Sequence, residues 1–478
     1  MEKNLGAGLG KDLSMDSKFL SAATLPKRLL EIADEINAAG GSIYLVGGWV
    51  RDILLGEVGH DFDLEVYGLD MEKLFNILVR YAKPNLVGKA FGIITLSMEG
   101  QNFDFAFPRT ENKTGPGHKG FTVHSDPFLT FAEASSRRDF TINSMGLKIP
   151  EMELIDEHHG LRDLKAKVLR HVSSAFSEDP LRVLRAVQFA ARFEFDIAPE
   201  TCDLCRSLSI KELPMERIYG EFKKLLLKAN RPSIGLEWMR KLNLLDFFPE
   251  LKALIGVEQE PEWHPEGDVW VHNNMVIDEA AKLRREEHGE FENMALMLGA
   301  LCHDFGKPSS TSFSDGRWRS PAHDVRGERP TRSFLERLTR ESALVEIVVA
   351  YVREHLKPAL LYKARNEIKA SALRRLALRV DIEKLVRVAR ADHFGRTTPD
   401  AIAREFPAGE WLLEKSRELD VLENKPKPYL TGKFLLSLGM KPGPEVGKLI
   451  SESFELQLDG ELASEAEVEA WARERLQE

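Results

Sequence analysis

Two aspartates separated by a single residue, Asp61 and Asp63, have a spacing that points directly to chemistry. Side chains in a β-strand alternate between its two faces, so carboxylates at positions i and i+2 lie on the same face. Oxygen ligands placed in this way can hold a hard divalent cation. We therefore expect Asp61 and Asp63 to bind Mg²⁺ beneath a triphosphate.

The segment before these aspartates predicts a phosphate-binding turn. Residues 43–46 form an apolar run typical of a buried strand, Gly47 and Gly48 predict a tight turn, and residues 49–55 predict the start of a helix. Backbone N–H groups at a helix start can bind phosphate oxygens. A strand, a glycine turn and a helix, followed by a strand with the Asp-x-Asp pair, indicate nucleotidyl transfer.

The run Gly-Gly-x-Val-Arg-Asp at residues 47–52, followed by His-Asp-Phe-Asp at residues 60–63, resembles the head domain of class II tRNA nucleotidyltransferases and bacterial poly(A) polymerases. The resemblance covers most of residues 41–460 and is strongest over residues 41–195. It implies that Asp61 and Asp63 are catalytic carboxylates that bind Mg²⁺. The nucleotide-binding residues that it implies in this part of the chain are Gly47, Gly48, Arg51 and Asp52.

A third carboxylate, Asp104, lies within residues 102–106, where apolar and polar side chains alternate. In the polymerase-β-like arrangement an adjacent strand can bring one more acid toward the metals, so the resemblance makes Asp104 a candidate catalytic residue. The alternative is a strand-edge aspartate that faces solvent. Residues 109–127, which lack apolar periodicity, predict a flexible loop. In the resembling enzymes this loop helps to switch nucleotide choice, and the alternative is a connection without chemistry.

Arginine, aspartate and asparagine side chains are concentrated in residues 137–143. The planar guanidinium of Arg can donate to phosphate oxygens, Asp can accept from ribose hydroxyls, and Asn can do both. A surface ion pair at a helix N-terminus is the alternative interpretation. The stretch resembles the family's motif for ribose recognition, which implies nucleotide-binding roles for Arg138, Asp139 and Asn143.

Residues 176–186 predict a helix that begins near Ser177, because serine, acidic residues and an early proline favour helix N-termini. Asp179 and Arg182 are three residues apart and would share one helix face. An acceptor beside a donor matches the pairing edges of cytosine and adenine but not those of guanine and uracil. The stretch resembles the family's templating motif, which implies that Asp179 and Arg182 read the base and that Arg185 lies near the phosphates.

Histidines and aspartates in the C-terminal half predict a second site, although any one such histidine is more often an ordinary surface or core residue. On neighbouring helices these side chains can converge on one metal ion and leave positions open to water. The pattern resembles an HD phosphohydrolase domain, with the Asp-Phe-Gly-Lys run at residues 304–307 as its most specific part. The metal ligands that the resemblance implies are His272, His303, Asp304 and Asp392. The candidate neighbours for substrate or a second metal are His323 and His355.

Composition restricts the class of protein. The chain has 478 residues, of which 43% are hydrophobic, enough for about two to four domains. Its net charge of −10 argues against a protein that coats nucleic acid without sequence specificity, but not against a protein with a specific RNA site. No segment approaches the roughly 18 apolar residues of a membrane span, and no apolar stretch of signal-peptide length begins the chain. We expect a cytoplasmic protein without a membrane partner, and three ordinary cysteine thiols.

Strand-like runs occur up to about residue 147, and helical periodicity dominates from about residue 161, which predicts the α+β class. We expect a polymerase-β-like nucleotidyltransferase head followed by an all-α neck, an HD-type helical domain and a helical tail. The tail would contact tRNA or form a plain helical hairpin. The predicted boundaries are residues 1–24 for a mobile N-terminal extension, 25–147 for the head, 148–250 for the neck with the base-reading helix, 251–400 for the HD domain and 401–478 for the tail.

The resemblance implies template-independent addition of C, A or both to the 3′ end of tRNA, with CTP and ATP as substrates and Mg²⁺ as the transferase cofactor. It also implies an HD-domain phosphatase or phosphodiesterase with a divalent transition metal such as Ni²⁺ or Mn²⁺. Three alternatives stay open: an enzyme that adds only CC or only A, a poly(A) polymerase, and a nucleotide-binding regulator whose HD hydrolase alone is active. Poly(A) polymerase is disfavoured because polyadenylating members usually lack an HD domain and carry a basic tail, whereas this tail is acidic.

Overall fold

The computed structural model describes residues 25–57, 61–87, 93–113 and 121–477. Its contacts divide the chain into two compact units, a first unit of Met1–Ile218 and a second unit of Tyr219–Glu478. The predicted mobile extension and His60 lie outside the described residues, and the finer domain boundaries stay predictions. The α+β class is confirmed, because the first unit contains a mixed sheet and the second unit is mainly helical.

Short strands make up the sheets of the first unit. In chain order they are β1 (Ser42–Val46), β2 (Phe62–Tyr67), β3 (Asn85–Val87), β4 (Ile93–Met98), β5 (Gln101–Ala106), β6 (Arg109–Lys113), β7 (Phe121–Ser125), β8 (Gly146–Ile149), β9 (Glu153–Ile155), β10 (Val168–Leu169) and β11 (Asp196–Ile197). Among the described residues, seven of these strands form one mixed sheet with the order β3-β4-β5-β2-β1-β8-β9.

The centre of this sheet positions acidic side chains. β2 and β5 are parallel neighbours, and their register pairs Asp63 with Asp104. Alternation along β2 buries Phe62 and Leu64 and turns Asp63 to the opposite face of the sheet. The sheet thus places two predicted catalytic carboxylates side by side on adjacent strands.

Helices cover the sheet and continue beyond it. The helices that begin in the first unit are α1 (Lys27–Ala38), α2 (Gly48–Leu54), α3 (Met71–Leu78), α4 (Phe131–Ser135), α5 (Gly160–Ala166), α6 (Leu181–Phe193), α7 (Pro199–Ser207) and α8 (Met215–Lys228). α1 buries Leu29, Ile32, Ala33 and Ile36, the spacing of one helix face, and packs against β1. The packing of α1 stabilises the sheet that carries the carboxylates.

The second unit consists of helices and one small hairpin. The helices are α9 (Pro232–Lys241), α10 (Pro249–Lys252), α11 (Val269–Lys282), α12 (Gly289–Cys302), α13 (His323–Arg326), α14 (Glu328–Glu336), α15 (Ser342–Glu354), α16 (Lys357–Lys363), α17 (Ala370–Arg379), α18 (Ile382–Phe394), α19 (Pro399–Ile402), α20 (Pro407–Glu418), α21 (Gly432–Ser437), α22 (Pro444–Asp459) and α23 (Glu465–Arg475). The hairpin strands are β12 (Ser312–Ser314) and β13 (Arg317–Arg319).

Helix α12 lies inside the second unit. Every residue from Asn293 to Cys302 is buried, as expected for a helix surrounded by other helices. It packs against α11, α15 and α18. Gly299 permits the close approach, since a Cβ there would lie 3.0 Å from the Tyr351 side chain and 3.2 Å from that of Val388. The packing brings together the ends of helices that carry the predicted metal ligands.

The prediction of a flexible loop over residues 109–127 is wrong at both flanks. β6 and β7 pair antiparallel, with Arg109 opposite Ser125, and form a two-stranded sheet. Their pairing rests on main-chain hydrogen bonds, which require no apolar alternation and so left no periodicity in the sequence. Residues 114–120, between the two strands, lie outside the described residues.

The start of the base-reading helix also differs from the prediction. Ser174–Glu178 form a 3₁₀ turn, and α6 begins only at Leu181. Asp179 has an extended backbone, with φ −123° and ψ 100°, so it does not share a helix face with Arg182. The cause is Pro180, because the residue before a proline is sterically disfavoured in the helical region.

The tail is helical, as the predicted fold class requires, while its contact with tRNA stays a prediction. α21 and α22 are two helices separated by a Gly-Pro turn, and Cys202, Cys205 and Cys302 are buried free thiols. Within the described ranges, no helix has the length and apolar character needed to cross a membrane.

Phe105 tests the core of the sheet. Its side chain in β5 is 0% exposed, so Phe105→Ala leaves a cavity, and we expect the free energy of opening of β4 and β5 to fall by about 3–5 kcal/mol. Hydrogen exchange of the β4 and β5 amides, followed by mass spectrometry, measures this change. The control is Phe128→Ala, because Phe128 is 75% exposed and its loss should change stability by no more than about 0.5 kcal/mol. Equal effects of the two substitutions would contradict the core role of Phe105.

Candidate functional site

Carboxylates gather along β2 and β5 in the first unit. Asp63 and Asp104 are register partners, and Asp61 immediately precedes β2 and is exposed. Thr95 Oγ1 donates a 2.6 Å hydrogen bond to Asp104 Oδ1. Burial raises the pKa of Asp63, the positive charge of Arg138 lowers it in part, and the negative charges of Asp104 and Asp61 raise it further. Oxygen ligands that repel one another in this way fit a hard cation such as Mg²⁺.

The predicted glycine turn lies beside these carboxylates. Gly47 has φ +72°, which side-chain-bearing residues rarely adopt. A Cβ at this position would lie 3.3 Å from Arg138 Nη1 and 3.8 Å from Asp63 Oδ2. α2 begins at Gly48, so the predicted strand, turn and helix are confirmed. The turn therefore passes next to Asp63, the place that a phosphate-binding turn would require.

Glu65 is a site residue that the sequence reasoning missed. Arg138 Nη2 donates to Glu65 Oε1 at 2.6 Å, and Tyr67 OH donates to Glu65 Oε2 at 2.7 Å. These contacts hold the guanidinium of Arg138 near Asp63. The signal was present in the sequence, since the period of two that pairs Asp61 with Asp63 continues to Glu65.

Arg51 and Asn143 are buried and bound to each other. Arg51 is 4% exposed, its Nη1 donates to Asn143 Oδ1 at 2.6 Å, and its Nε donates to Asp52 Oδ1 at 2.8 Å. The guanidinium carbon lies 4.6 Å from the ring centroid of Phe193, and burial lowers the pKa of Arg51. The arrangement joins α2 to residues 141–143. Direct nucleotide contacts of Arg51, Asp52 and Asn143 stay predictions.

Asp139 and Arg185 form a charged pair between the ribose motif and α6. Arg185 Nε lies 2.7 Å and Nη2 2.6 Å from Asp139 Oδ2. Asn143 Nδ2 and the Phe140 N–H donate to Asp139 Oδ1 at 3.0 and 2.8 Å. Burial alone would raise the pKa of Asp139, but Arg185 and these hydrogen bonds outweigh it and hold the pKa below its usual value. Asp139 is therefore an ionised anchor for Arg185.

A cavity of about 350 Å³ joins the predicted ribose and base-reading residues. Arginines outnumber carboxylates in its wall, so it favours an anionic ligand. The lining residues are Glu65, Arg109, Ala134, Arg137, Arg138, Asp139, Asp179, Leu181, Arg182, Arg185 and Arg217. The structure thus brings together the predicted residues Arg138, Asp139, Asp179, Arg182 and Arg185.

Contacts inside the first unit orient Asp179 and Arg182, the predicted base-reading pair. Arg217 Nη2 donates to Asp179 Oδ2 at 2.8 Å. Arg182 Nη1 donates to Ala175 O at 2.8 Å and its Nη2 to Arg137 O at 2.6 Å. The two carbonyl oxygens define the plane of the Arg182 guanidinium. Although Asp179 and Arg182 lie on different backbone elements, both side chains reach the same cavity.

The second unit brings the four predicted metal ligands together. His272 is in α11, His303 and Asp304 directly follow α12, and Asp392 is in α18. His272 Nε2 lies 3.1 Å from Asp392 Oδ1 and 3.4 Å from His303 Nε2, and His303 Nε2 lies 3.2 Å from Asp304 Oδ2. All four side chains are less than a tenth exposed. A buried set of imidazole and carboxylate groups fits a divalent transition metal.

Glu266 orients His272 and was not predicted as a site residue. His272 Nδ1 donates to Glu266 Oε1 at 2.8 Å, and His264 Nδ1 lies 2.9 Å from the same oxygen. Thr397 N donates to Glu266 Oε2 at 3.1 Å. A carboxylate on the outer nitrogen leaves Nε2 of His272 to act as the ligand, which is the usual arrangement at metal sites. The only sequence signal was an acidic residue close before a candidate ligand.

A cavity of about 240 Å³ opens beside this cluster. Lys307 Nζ lies 2.7 Å from Asp304 Oδ2 and 2.6 Å from Gln259 Oε1, and Arg396 Nη2 lies 3.1 Å from both oxygens of Asp392. The lining residues are Gln259, Glu260, Trp263, His264, Asp304, Lys307, Trp318, Ser320, His323, His355, Leu356, Asp392 and Arg396. Two cationic side chains next to candidate metal ligands suit an anionic substrate.

Comparison with known proteins identifies the family. Residues 43–170 match the Poly A polymerase head domain, and residues 194–255 match the probable RNA and SrmB-binding site of polymerase A. The Multifunctional CCA protein of Xylella fastidiosa (strain M12) is 38% identical over 381 residues, which are 77% of this chain and 87% of that protein.

Two solved structures share the fold. The Bacillus stearothermophilus CCA-adding enzyme in complex with CTP has a TM-score of 0.64 at 21% identity and covers 94% of this chain and 97% of its own. The Thermotoga maritima CCA-adding enzyme complexed with tRNA has a TM-score of 0.57 at 21% identity and covers 96% of this chain and 98% of its own. With the head-domain match and the close relative, the chain belongs to the family of CCA-adding nucleotidyltransferases built on the poly(A) polymerase head domain.

Proposed function

We propose that this chain adds C and A to the 3′ end of tRNA from CTP and ATP, without a nucleic-acid template. The observation that carries the proposal is that Asp179 and Arg182 line the same cavity as Arg138, whose charge acts on Asp63. One nucleotide could therefore place its base at the reading pair and its phosphates at the carboxylates. The Multifunctional CCA relative and the structures with CTP and with tRNA support the choice of substrates.

Asp61, Asp63 and Asp104 would hold two Mg²⁺ ions, which when bound supply charge that stabilises the triphosphate and lowers the pKa of the tRNA 3′-hydroxyl. Gly47 leaves space beside Asp63 for the phosphates. Arg138, held by Glu65, would donate to phosphate oxygens. The 3′-hydroxyl would lose its proton to solvent, and its oxygen would form a bond to the α-phosphorus. The bond between that phosphorus and the oxygen bridging to the β-phosphorus would break, and pyrophosphate would leave with that bond's electron pair.

Asp179 and Arg182 would replace the template strand. Cytosine and adenine each present an amino donor beside a ring-nitrogen acceptor, so the carboxylate can accept from the amino group while the guanidinium donates to the ring nitrogen. Guanine and uracil present the reverse order at these positions. Arg217 would hold Asp179 in place. The carbonyl oxygens of Ala175 and Arg137, which accept from Arg182, would hold its guanidinium in place.

Three tRNA substrates test the proposal. With tRNA ending at the discriminator base, at C and at CC, we expect labelled C on the first two and labelled A on the third. Asp63→Ala should lower each rate by roughly 10²-fold or more, because a metal-binding carboxylate contributes several kcal/mol. Asp196→Ala, at an exposed aspartate of the same unit, is the control.

Each alternative gives its own pattern in this assay. Incorporation of A alone, and only on the CC-ended tRNA, would overturn full CCA addition. Incorporation of C alone would indicate a CC-adding enzyme, and long A tracts would indicate a poly(A) polymerase. Absence of any incorporation would favour the nucleotide-binding regulator. Full activity of Asp63→Ala would contradict the metal role of that carboxylate.

Base selection is tested by Asp179→Ala and Arg182→Ala. Loss of a bidentate reading contact costs about 1–3 kcal/mol of discrimination, so the preference for CTP over UTP, measured as a ratio of kcat/KM, should fall roughly 10- to 100-fold. Arg206→Ala, on the exposed side of α7, is the matched control and should leave the ratio unchanged. If both site variants slow CTP and UTP equally, the pair has a structural role and does not read the base.

We also propose that the second unit hydrolyses phosphomonoesters and phosphodiesters, including 2′-phosphates and 2′,3′-cyclic phosphates at RNA ends. The supporting observation is the convergence of His272, His303, Asp304 and Asp392 beside a cavity with two cationic side chains. These four residues would hold a divalent metal such as Ni²⁺ or Mn²⁺, which supplies an activated water when bound. Lys307 and Arg396 would bind the phosphate oxygens.

His303→Ala should abolish this hydrolysis and leave nucleotidyl transfer intact, because all its described partners belong to the second unit. The assay follows release from a 2′,3′-cyclic nucleotide with Ni²⁺, Mg²⁺ or Mn²⁺. His288→Ala, at a partly exposed histidine outside the cluster, is the control. The proposal fails if purified protein leaves the cyclic phosphate untouched with every metal, whatever its transfer activity.

A further inference from the structure

Two tryptophans line the 240 Å³ cavity of the second unit, and the proposed hydrolysis uses neither of them. Trp263 is 55% exposed, although burial of so large an apolar side chain would stabilise the fold. Trp318 is only partly buried. Exposed aromatic side chains in the wall of a cavity that also holds polar groups indicate a surface that binds a ligand.

The two tryptophans belong to separate segments that polar contacts join. Trp263 lies in a turn, where its N–H donates to Glu260 O at 3.0 Å. Trp318 lies in β13, and its N–H donates to Glu260 Oε2 at 3.1 Å. Glu260 therefore connects the turn to the hairpin. An ion pair of 3.1 Å between Arg317 Nη1 and Glu262 Oε2 adds a second link, and both tryptophans are held at one cavity.

A contact between two rings orients Trp318. The register of the hairpin pairs it with Phe313 in β12. The ring centroids lie 5.2 Å apart and the ring planes are inclined by 64°, which is a favourable edge-to-face arrangement. Such a contact occupies at most one face of the indole, so it does not prevent Trp318 from stacking on a ligand in the cavity.

Polar groups beside the tryptophans are engaged with the protein. Gln259 Nε2 donates to Gly267 O at 3.1 Å, and Gln259 Oε1 accepts from Lys307 Nζ at 2.6 Å. Ser320 Oγ lies 2.8 Å from Thr311 Oγ1. Recognition in this part of the cavity would therefore come from the indole faces. Stacking accepts any nucleobase, because every base has a π-face.

The wall of the same cavity also contains cationic groups. Lys307 and Arg396 line it beside Asp304 and Asp392, and their charges suit phosphate oxygens. A ligand that matches the whole wall has an anionic group for the two cations and a flat ring for the tryptophans. A nucleoside phosphate has both.

We propose that Trp263 and Trp318 form a base-stacking subsite, so that the second unit acts on phosphate esters of nucleosides in preference to phosphate esters without a base. The proposal rests on the proposed hydrolase site, which would receive the phosphate. The indole faces would hold the base, and Lys307 and Arg396 would bind the phosphate oxygens. The base would add binding energy and take no part in bond cleavage.

Two matched substrates test the subsite in the full-length protein. One is adenosine 2′,3′-cyclic phosphate, and the other is methyl ribofuranoside 2,3-cyclic phosphate, which has a methoxy group in place of the base. We expect kcat/KM to be higher for the nucleotide by roughly 5-fold or more. The cytidine, guanosine and uridine forms should resemble the adenosine form, because stacking does not read the edges of bases.

Trp263→Ala and Trp318→Ala should each raise KM for the nucleotide by roughly 5- to 100-fold. The value of kcat should change little, since stacking holds the substrate and the transition state alike. Hydrolysis of the base-free ester should stay unchanged. Trp263→Phe keeps a ring face and should restore most of the preference. The control is Phe291→Ala, at a 42% exposed aromatic residue that is not among the described residues lining the cavity.

Calorimetric titration of the metal-stripped protein with adenosine 2′,3′-cyclic phosphate measures the subsite without hydrolysis. Binding in the first unit contributes equally to the wild-type protein and to Trp263→Ala, so a difference between them reports on the second unit. We expect Trp263→Ala to raise Kd by roughly 5- to 100-fold. Thermal unfolding shows whether each variant is folded.

The outcomes separate the subsite from the hydrolase. Equal hydrolysis of both substrates by the wild-type protein would overturn the subsite and leave the hydrolase, as would an equal loss on both substrates in the tryptophan variants. Absence of hydrolysis with every metal, together with weaker binding by Trp263→Ala, would overturn the hydrolase and leave the subsite. Absence of hydrolysis together with equal binding would overturn both.

Discussion

The buried carboxylate of Asp139 is the charge on which the transferase site depends, because a buried charge is tolerated only when it is paired and hydrogen-bonded. Asp139 is 8% exposed and accepts from Arg185, Asn143 and the Phe140 N–H. Asn143 extends the constraint, since its Oδ1 accepts from buried Arg51 in α2. One network therefore connects the helix after the glycine turn, the predicted ribose motif and α6, and two of its members, Asp139 and Arg185, line the cavity.

Both sites orient a versatile side chain with an acidic partner. Glu65 selects one orientation of the Arg138 guanidinium, and Glu266 selects the Nδ1-protonated tautomer of His272. Without these partners the arginine guanidinium could adopt other orientations, and either ring nitrogen of the histidine could carry the proton. Each of these two candidate site residues is therefore positioned by an acidic partner, which contributes geometry that the candidate residue alone does not have.

Local patterns in the sequence predicted the elements well and their long-range partners poorly. The apolar run at residues 43–46 predicted a strand within one residue of β1, and the Asp-x-Asp pair predicted a strand where β2 lies. The period of two that pairs Asp61 with Asp63 continues to Glu65, but no local period contains its relation to Arg138, which is 73 residues away. The start of α6 was misplaced because helix-start residues were weighed without the steric effect of Pro180 on Asp179. The motif resemblance gave Asp179 and Arg182 as the candidate reading pair, a role that stays a prediction, and only the fold shows which main-chain oxygens accept from Arg182.

The two candidate sites lie in different units and also differ in the chemistry of their ligand atoms. The predicted transferase set of Asp61, Asp63 and Asp104 offers oxygen atoms alone, which would suit hard Mg²⁺. The second-unit set adds imidazole nitrogens from His272 and His303, which raise the affinity for transition metals. Each ion in a mixture would then partition toward its own site. Because the described ligands of each proposed site come from a single unit, loading one site does not require the residues of the other, and the two proposed chemistries would not compete for ligands.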